Sequence, residues 1–594
     1  MHFKTLSLFF IIAVQSLFAQ VIPSARRTDW SLAGHLGAIT VSANIIDITN
    51  FAGVGDGLTV NDVAIQNAIA SLNGNAGVIY FPSGNYLFQS SIVLTDSIVL
   101  KGNSSDSTTL SFDLSGASDL IRINGTVSNI FARFTANADK DSSFIVVDNS
   151  QLFQANDYIK ISQNDSALLF SNWAYGCVGQ IVQIKTIVGN RINLSSPLRK
   201  TFSLSDSCKI KKILPIMEVG MECLKIKRLD QSVGQTTNID INYAVNCWVK
   251  GVESDMCNFA HIAISNSSNI EISGCYFHDA FAYGGGGQAY GVVAQATSGE
   301  CLIENNVFNH LRHSMLIQSG ANGNVYAYNS STNPYWVSGA LPSNSAGDMV
   351  LHGNYTFLNL FEGNTGQNIV IDDSHGINGP YNTYFRNRAD LYGIFMNSNP
   401  PSNNQNFVGN EVTNNGPFMG MYQLSGNGHF AHGNNIKGTI QPANTNILND
   451  TSYYKKIKPG YIAFNATWPS IGIPNTISSG TIPAQQRQLQ GSTFTDCTID
   501  YKLVEQITII DVKPKINLFP NPCNDRLYLE GIAVYEDTHC VLTIYNLMGD
   551  KVETLAPLGN EIILNQVASG SYFFAIQNGS TVLLRGKLIV INNQ

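Results

Sequence analysis

Residues spaced 23 apart recur through the middle of the chain, and that spacing limits the fold more than any other feature. Gly251 and Gly274 are one such pair and Asn306 and Asn329 another. Asn364, Asn387 and Asn410 keep the step, and Asn434 comes one residue late. Each anchor ends or follows a short alternating run: NIEISGCYF, CLIENNVF, NVYAYN, FLNLFEGN, NTYFRN, NFVGN. A fixed period of this size marks a stacked solenoid. Runs of strand length with no helical period between them make each repeat one coil of a β-solenoid. Asn suits the anchor because it tolerates left-handed backbone at a bend and its amide can stack as a ladder.

A second set of runs precedes the anchors: HIAIS, YGVVAQ, SMLIQS, DMVLHG, NIVIDD and YGIFMN. Aligned by their apolar residues, they point Ile262, Ile264, Met315, Ile317, Met349, Leu351, Ile369, Ile371, Ile394 and Met396 inward. Alternation then turns the next residue outward. That outward column reads Ser265, Gln318, His352, Asp372, Asn397, with neighbours about 4.8 Å apart. Cys247, Ile270, Cys301 and Val325 read as an equivalent inward column. Cys247 and Cys301 then stand two coils apart, roughly 9–10 Å, which is beyond disulfide reach. The ten cysteines are therefore expected to be mostly buried free thiols, with Cys523 and Cys540 the pair to test for a bridge.

The ends of the chain differ from its middle. Residues 1–19 carry one Lys, an apolar run and a terminal Ala19, the pattern of a secretory signal peptide. No other stretch is long and apolar enough to span a bilayer. Charged residues are 13% and the net charge is −8, with no basic run, which excludes a nucleic-acid partner. In FAGVGDGLTVNDVAIQNAIASLNGNAGVIYFPSGNYLF, Ala64, Ile65, Ala68, Ile69 and Leu72 share one helical face. An amphipathic helix there can cap the open end of a solenoid. This stretch, continued by TDSIVLKGNSSDSTTLSFD, resembles the opening of the pectate-lyase-like, rhamnogalacturonase/epimerase-type β-helix superfamily. The resemblance implies an all-β fold: a right-handed parallel β-helix with an N-terminal cap helix, over residues 20–440. An alternating segment at 145–215 reads as a β-insertion. Residues 441–512 read as a tail closing the far end, then a linker.

From Lys513 the runs INLFPNPCNDRLYLE, VLTIYNLMGDKVETL and GSYFFAIQNGSTVLLRGKLIVIN suggest a small C-terminal β-sandwich. PNP, IYNLMG and GSYFFAI…GKLIV resemble the C-terminal sorting domain of the type IX secretion system of Bacteroidetes. A carbohydrate-binding or adhesion sandwich is the alternative. The sorting resemblance implies a partner, the type IX machinery, and a secreted or surface-attached protein exported through the periplasm. A monomer is expected.

Superfamily members include hydrolases, lyases, epimerases and phage tailspikes, so the chemistry has to come from the residues. Between 246 and 435 there are twelve acidic residues against Lys250, Arg312, Arg386 and Arg388. A groove for polyuronides usually needs cations, so the imbalance favours hydrolysis, although acidic clusters can also hold calcium. The stretch VIDDSHGINGP carries the sharpest candidate site. Asp372, Asp373, His352 and Asp348 are the expected catalytic groups: one carboxyl protonates the leaving oxygen, another activates water, and His relays protons. His313, Arg312, His375, Arg388, Gln318, Asn397 and Tyr392 are the expected substrate contacts. Some β-helix polygalacturonases carry an Asp, then an Asp-Asp pair about one coil later, which Asp348 and Asp372–Asp373 resemble. Here His375 follows the pair by two residues, and Arg386-Asn-Arg388 has Arg where Lys is expected. The alternative is that DDSHG is a solvated Asx bend, and His278–Asp279 is the reserve site. The favoured function is a secreted hydrolase of polysaccharides with no cofactor. The alternatives are a lyase using His352 or Arg312 as base with Ca2+ or Arg against the uronate, and a non-catalytic glycan-binding solenoid.

Overall fold

The computed structural model describes residues 20–39, 42–497 and 517–591, apart from 117, 233, 338–339, 397–398, 464, 492–493, 531–539, 548, 556–560, 566 and 579–580. The expected signal peptide, residues 1–19, lies outside the described residues. The chain divides into two units, residues 1–503 and 504–594.

The first unit is a parallel β-helix with three strands per coil. Ala260–Ser265, Glu271–Ser273 and Tyr276–Ala280 form one coil, and Tyr290–Gln295, Leu302–Glu304 and Val307–Asn309 the next. Equivalent strands pair in parallel, Ile262 with Val292 and Ile272 with Ile303. One column alone stacks twelve strands, from Ile45–Asp47 to Phe430–His432. All ten residues expected to point inward from the second set of runs enter the central core. Each buried Ile or Leu contributes about 1.5–3 kcal/mol of transfer free energy. Phe361, Tyr384 and Phe407 add a near-parallel stack with centroids 5.0 and 5.4 Å apart.

The Asn anchors form a buried amide ladder. Asn306 Nδ2 donates to Asn329 Oδ1, and the pattern repeats through Asn364, Asn387, Asn410 and Asn434 at 2.9–3.1 Å. Each of these oxygens also accepts the backbone N–H of the preceding anchor. A second ladder runs through Asn324, Asn359, Asn382 and Gln405. The left-handed residue at each bend is the one before the anchor: Asn305, Tyr328, Gly363, Arg386, Gly409 and Gly433. The anchors are kept for their amides, not for their backbone.

One expected column is off by a residue. Leu302 pairs with Val325, so Cys247, Ile270 and Cys301 continue into Asn324. Val325 faces the other way, into a second apolar cluster. That cluster explains the tail. Val325, Leu360, Phe385 and Val408 face out from the coils and need cover. Leu448, Tyr453, Tyr454, Ile462, Ile471 and Ile482 supply it, together with Ile22 and Trp30. The tail starts on the last coil, where Thr439–Gln441 pairs antiparallel with Asn434–Ile436 and Thr445 accepts the Gly433 N–H. It runs back along the coils, bonding Glu362 through the Tyr453 N–H, then Glu304 through Tyr454, then Gly274 through the Asp496 N–H.

The helix Asp62–Ser71 buries Ala64, Ile65 and Ala68 against the core, with Ile69 packed beside them. A six-stranded antiparallel sheet interrupts the coils from Thr126 to Leu214, starting earlier than the alternation at 145 suggests, and it has its own core. The second unit contains a three-stranded and a four-stranded antiparallel sheet around one core. Cys523 is a free thiol there, and the Cys540 side chain lies outside the described residues.

The ladder generates a first prediction. Asn364→Ala strips partners from the Asn329 amide and N–H and from the Tyr326 carbonyl. Each orphaned buried group costs roughly 1–3 kcal/mol. Denaturant unfolding should show a loss of at least about 3 kcal/mol, against a change within about 0.5 kcal/mol for the exposed Asn415→Ala.

Candidate active site

The strands that end in Ser265, Gln295, Ile317, His352 and Asp372 present two outward rows. One is apolar: Ala263, Val293, Leu316, Val350, Val370 and Phe395 pair in order. The other is polar. Gln295 Nε2 donates to Ser265 Oγ at 3.2 Å, and Gln318 Nε2 donates to Gln295 Oε1 at 2.7 Å. His352 and Asp372 continue this row and pair directly. Gln295, Gln318 and His352 of the polar row floor a groove of about 780 Å³, while Val293 and Leu316 of the apolar row are buried with Phe259 and Tyr290. The groove's lining also includes Lys160 of the inserted sheet, Trp173 and Tyr175 of a turn in that insertion, Gln235 and Gly286–Gly287.

The reacting end of the groove is built around one pair. His352 Nδ1 lies 2.7 Å from Asp372 Oδ2. Asp372 also accepts the Ser374 N–H at 2.7 Å and the Ser374 hydroxyl. Burial works to raise the Asp372 pKa, but His352 and Ser374 together hold it well below the usual carboxylate range. With Nδ1 on the carboxylate, Nε2 is the atom His352 has for proton exchange. Two more imidazoles flank it. His375 stands edge-on at 4.8 Å, held by the Ser171 hydroxyl at 3.3 Å and the Trp173 ring at 5.6 Å. His313 lies 5.7 Å away and its Nδ1 is 3.0 Å from the Gly347 carbonyl. Burial lowers both, His313 to about 3, so both are neutral at neutral pH.

Arg312 sits at the junction, its guanidinium 5.7 Å from the Tyr290 ring and 6.0 Å from the Trp336 ring. One of its N–H groups bonds the Gly284 carbonyl at 2.9 Å, and its buried Nε has no partner among the described residues. Past Asp372 a second pocket of about 340 Å³ opens, lined by His313, Trp336, Tyr392, Phe395 and Phe418. Phe418 is 93% exposed, an unusual place for an aromatic ring and a ready surface for a sugar face. Tyr392 donates its hydroxyl to Asn344 at 3.2 Å on the rim.

Other expected site residues have structural roles. Asp373 turns away from Asp372, and its Oδ2 accepts the Asn399 N–H at 2.9 Å. The two carboxylates therefore do not share a site. Asp348 is fully buried. It accepts from Ser331 Oγ at 2.6 Å and from the Gln367 and Asn368 N–H groups at 2.8 and 2.7 Å, clamping the register shift between Gly366 and Asn368. Arg388 is buried against Glu411 at 2.7 Å and caps the Gly480 carbonyl of the tail. It cannot serve as a groove cation, because strand alternation at that position faces it toward the tail. Arg386 likewise caps carbonyls of Leu448, Asp450, Ile471 and Ile473. Asn397 lies outside the described residues.

The reserve pair, His278–Asp279, belongs to another strand column. Burial opposes the charge on His278, but bonds to Asp279 and Glu253 raise its pKa to about 9. Lys225 already neutralises Glu253 and Asp255 at 2.7 and 3.2 Å. This is a closed ion network.

Gln295, Trp173, Tyr290, Trp336 and Phe418 went unread in the sequence. Gln295 was findable from its run, YGVVAQ. Trp173 was not, since it reaches His375 from about 200 positions away.

Two predictions follow from these reassignments. Arg388→Ala leaves a buried Glu411 without its cation and should cost about 3–5 kcal/mol in unfolding experiments, with KM unchanged on any substrate. Asp348 is pushed up to about 7 by burial, against the pull of its three donors. The folded state then keeps a proton that the unfolded chain releases from 3.8 upward. Its stabilisation is complete below about pH 4 and is lost as pH rises through about 7. Asp348→Asn should be less stable overall, and its Tm should change less between pH 4 and 7 than the parent's.

Comparison with known proteins agrees with the architecture. Residues 45–177 match the family model described as rhamnogalacturonase A/epimerase, pectate lyase-like. Residues 260–436 match the right-handed β-helix region and 517–591 the secretion system C-terminal sorting domain. No curated protein matches the chain in sequence. Among solved structures, the tailspike protein gp49 from Pseudomonas phage LKA1 is 14% identical with a TM-score of 0.47; the alignment covers 62% of this chain and 64% of that one. The Azotobacter vinelandii mannuronan C-5 epimerase AlgE4 A-module is 12% identical, TM-score 0.31, covering 66% and 92%. An exopolygalacturonase from Thermotoga maritima is 12% identical, TM-score 0.31, covering 67% and 94%. The chain thus combines a right-handed parallel β-helix similar to the pectate-lyase-like superfamily with a C-terminal sorting domain.

Proposed function

We propose that this is an exported polysaccharide-cleaving enzyme with His352 and Asp372 as its reaction centre. The observation that carries the reading is the 2.7 Å contact between Nδ1 of His352, which lines the groove, and Asp372, which lines the pocket beyond it. A carboxylate on one ring nitrogen orients an imidazole and leaves the other nitrogen to move protons. The polar row from Asn242 through Ser265, Gln295 and Gln318 to Asp372 spans roughly 24 Å, room for several sugar rings in line. The sorting domain supports export by a type IX machinery, and no helix among the described residues is long and apolar enough to cross a membrane.

The site favours elimination over two-carboxylate hydrolysis. Hydrolysis of the usual kind needs a second carboxyl facing the same bond, and Asp373 is turned away. In an elimination, His352 Nε2 takes the proton from C5 of a uronate unit. Arg312, set between Tyr290 of the groove and Trp336 of the second pocket, supplies positive charge to balance what grows on the uronate carboxylate. The C4–O bond breaks, and the imidazolium just formed is the acid for the departing oxygen. Calcium does not fit the centre. It needs six to eight oxygens, and Asp372 already serves His352 and Ser374. Hydrolysis of a neutral glycan is the second reading. It is supported by the groove's own charge, with Asp119 and Asp240 but only Lys160 as a cation along the wall.

Digestion of a panel of acidic and neutral polysaccharides tests this. Elimination predicts ultraviolet-absorbing unsaturated ends. Asp372→Asn and His352→Gln should each lower kcat by roughly 10²–10⁴-fold, the usual worth of acid–base catalysis, with little change in KM. Reducing ends without absorbance would select hydrolysis. Binding without cleavage would select an adhesive solenoid. Full activity in both variants would remove the pair from the chemistry.

A further inference from the structure

We propose that Cys223 and Cys497 are joined by a disulfide in the exported protein, stapling the returning tail to the coils. The two residues lie 274 positions apart but meet at one turn. Cys223 follows the strand Gly220–Glu222, and its N–H bonds the Lys250 carbonyl of the next coil at 3.0 Å. The Cys223 sulfur is 3.7 Å from the Cys497 carbonyl, and the Cys497 sulfur is 3.5 Å from the Gly251 carbonyl. Each thiol perturbs the other, pushing Cys223 up and drawing Cys497 down.

The approach is fixed by the tail around it. Thr495 and Ser105 share a hydroxyl bond at 2.6 Å, Asp496 N–H bonds Gly274 at 2.7 Å, and Phe494 stacks on Tyr276 at 4.5 Å. A Cβ on Gly251 would stand only 2.7 Å from the Cys497 sulfur, so the glycine keeps the place open. Among the described cysteines, Cys497 is the only one that is not buried. Cys247, Cys275 and Cys301 face the core and bond carbonyls of their own coils. Burial pushes those thiols up to about 12, which leaves them inert.

The chemistry is thiol–disulfide exchange with an oxidised dithiol oxidoreductase of the export route. The Cys497 thiolate attacks the oxidant's disulfide, giving a mixed disulfide and one oxidant thiol. The Cys223 sulfur then attacks the Cys497 sulfur, closing the bridge and releasing the second oxidant thiol. Two protein thiols are oxidised and one oxidant disulfide is reduced. The bridge closes the chain just before it leaves for the sorting unit, so the tail stays seated on the coils whatever happens beyond residue 497.

The test uses wild-type protein recovered outside a secretion-competent host. Thiols are alkylated under denaturing, non-reducing conditions, and the protein is digested for mass spectrometry. The expected result is a cross-linked pair of peptides carrying Cys223 and Cys497, collapsing on reduction, while Cys247, Cys275 and Cys301 carry the alkyl group. In Cys497→Ser the Cys223 peptide should appear free and alkylated. Alkylation of both Cys223 and Cys497 in the wild-type protein, or a bridge from either to another cysteine, overturns the proposal.

Discussion

The later coils of the first unit, which carry the candidate site, depend on the amide ladder between them. Among the stacked strands each coil pairs only with its neighbours, so register has to be fixed between adjacent coils. Buried amides supply that lock, because each Asn both donates to the next anchor and accepts from the previous one. A slip of one residue would orphan several buried groups and turn the apolar rows outward. The same register places His352 against Asp372. The candidate chemistry is therefore a by-product of coil stacking, held by groups well removed from the groove.

Several ionisable residues of the coils serve structure. Arg386 satisfies tail carbonyls, Arg388 holds Glu411, Asp348 clamps a register shift, and His278 sits in a closed network. Buried charges of this kind persist only when paired and hydrogen-bonded. What remains at the reacting end of the groove is small: the Asp372 carboxylate, three imidazoles and the Arg312 guanidinium. That remainder defines the chemistry, since a depressed carboxylate beside an imidazole and two neutral rings is equipment for moving protons.

The inserted sheet and the tail complete what the coils leave open. Trp173 and Ser171 orient His375 from one side, and the tail covers the row of outward apolar residues on another. Both come from segments with no repeat, so the groove wall and the sealed face are the parts of the molecule free to vary without disturbing the ladder.

The period of 23 residues, the alternation within each run and the cap helix were enough to give the fold. These are local signals, and a β-helix is nearly one-dimensional, so local signals suffice. They also predicted that His352 and Asp372 stand side by side and outward. Sequence alone misjudged Asp373, Asp348 and Arg388, because a charged residue looks the same on paper whether it faces a groove or a tail. It also placed Val325 one position out, because an Asn in a core column reads as polar until its amide is seen bonded to the next coil. Which side of each coil is covered is settled by segments hundreds of positions away, and only their packing decides which charges are left for chemistry.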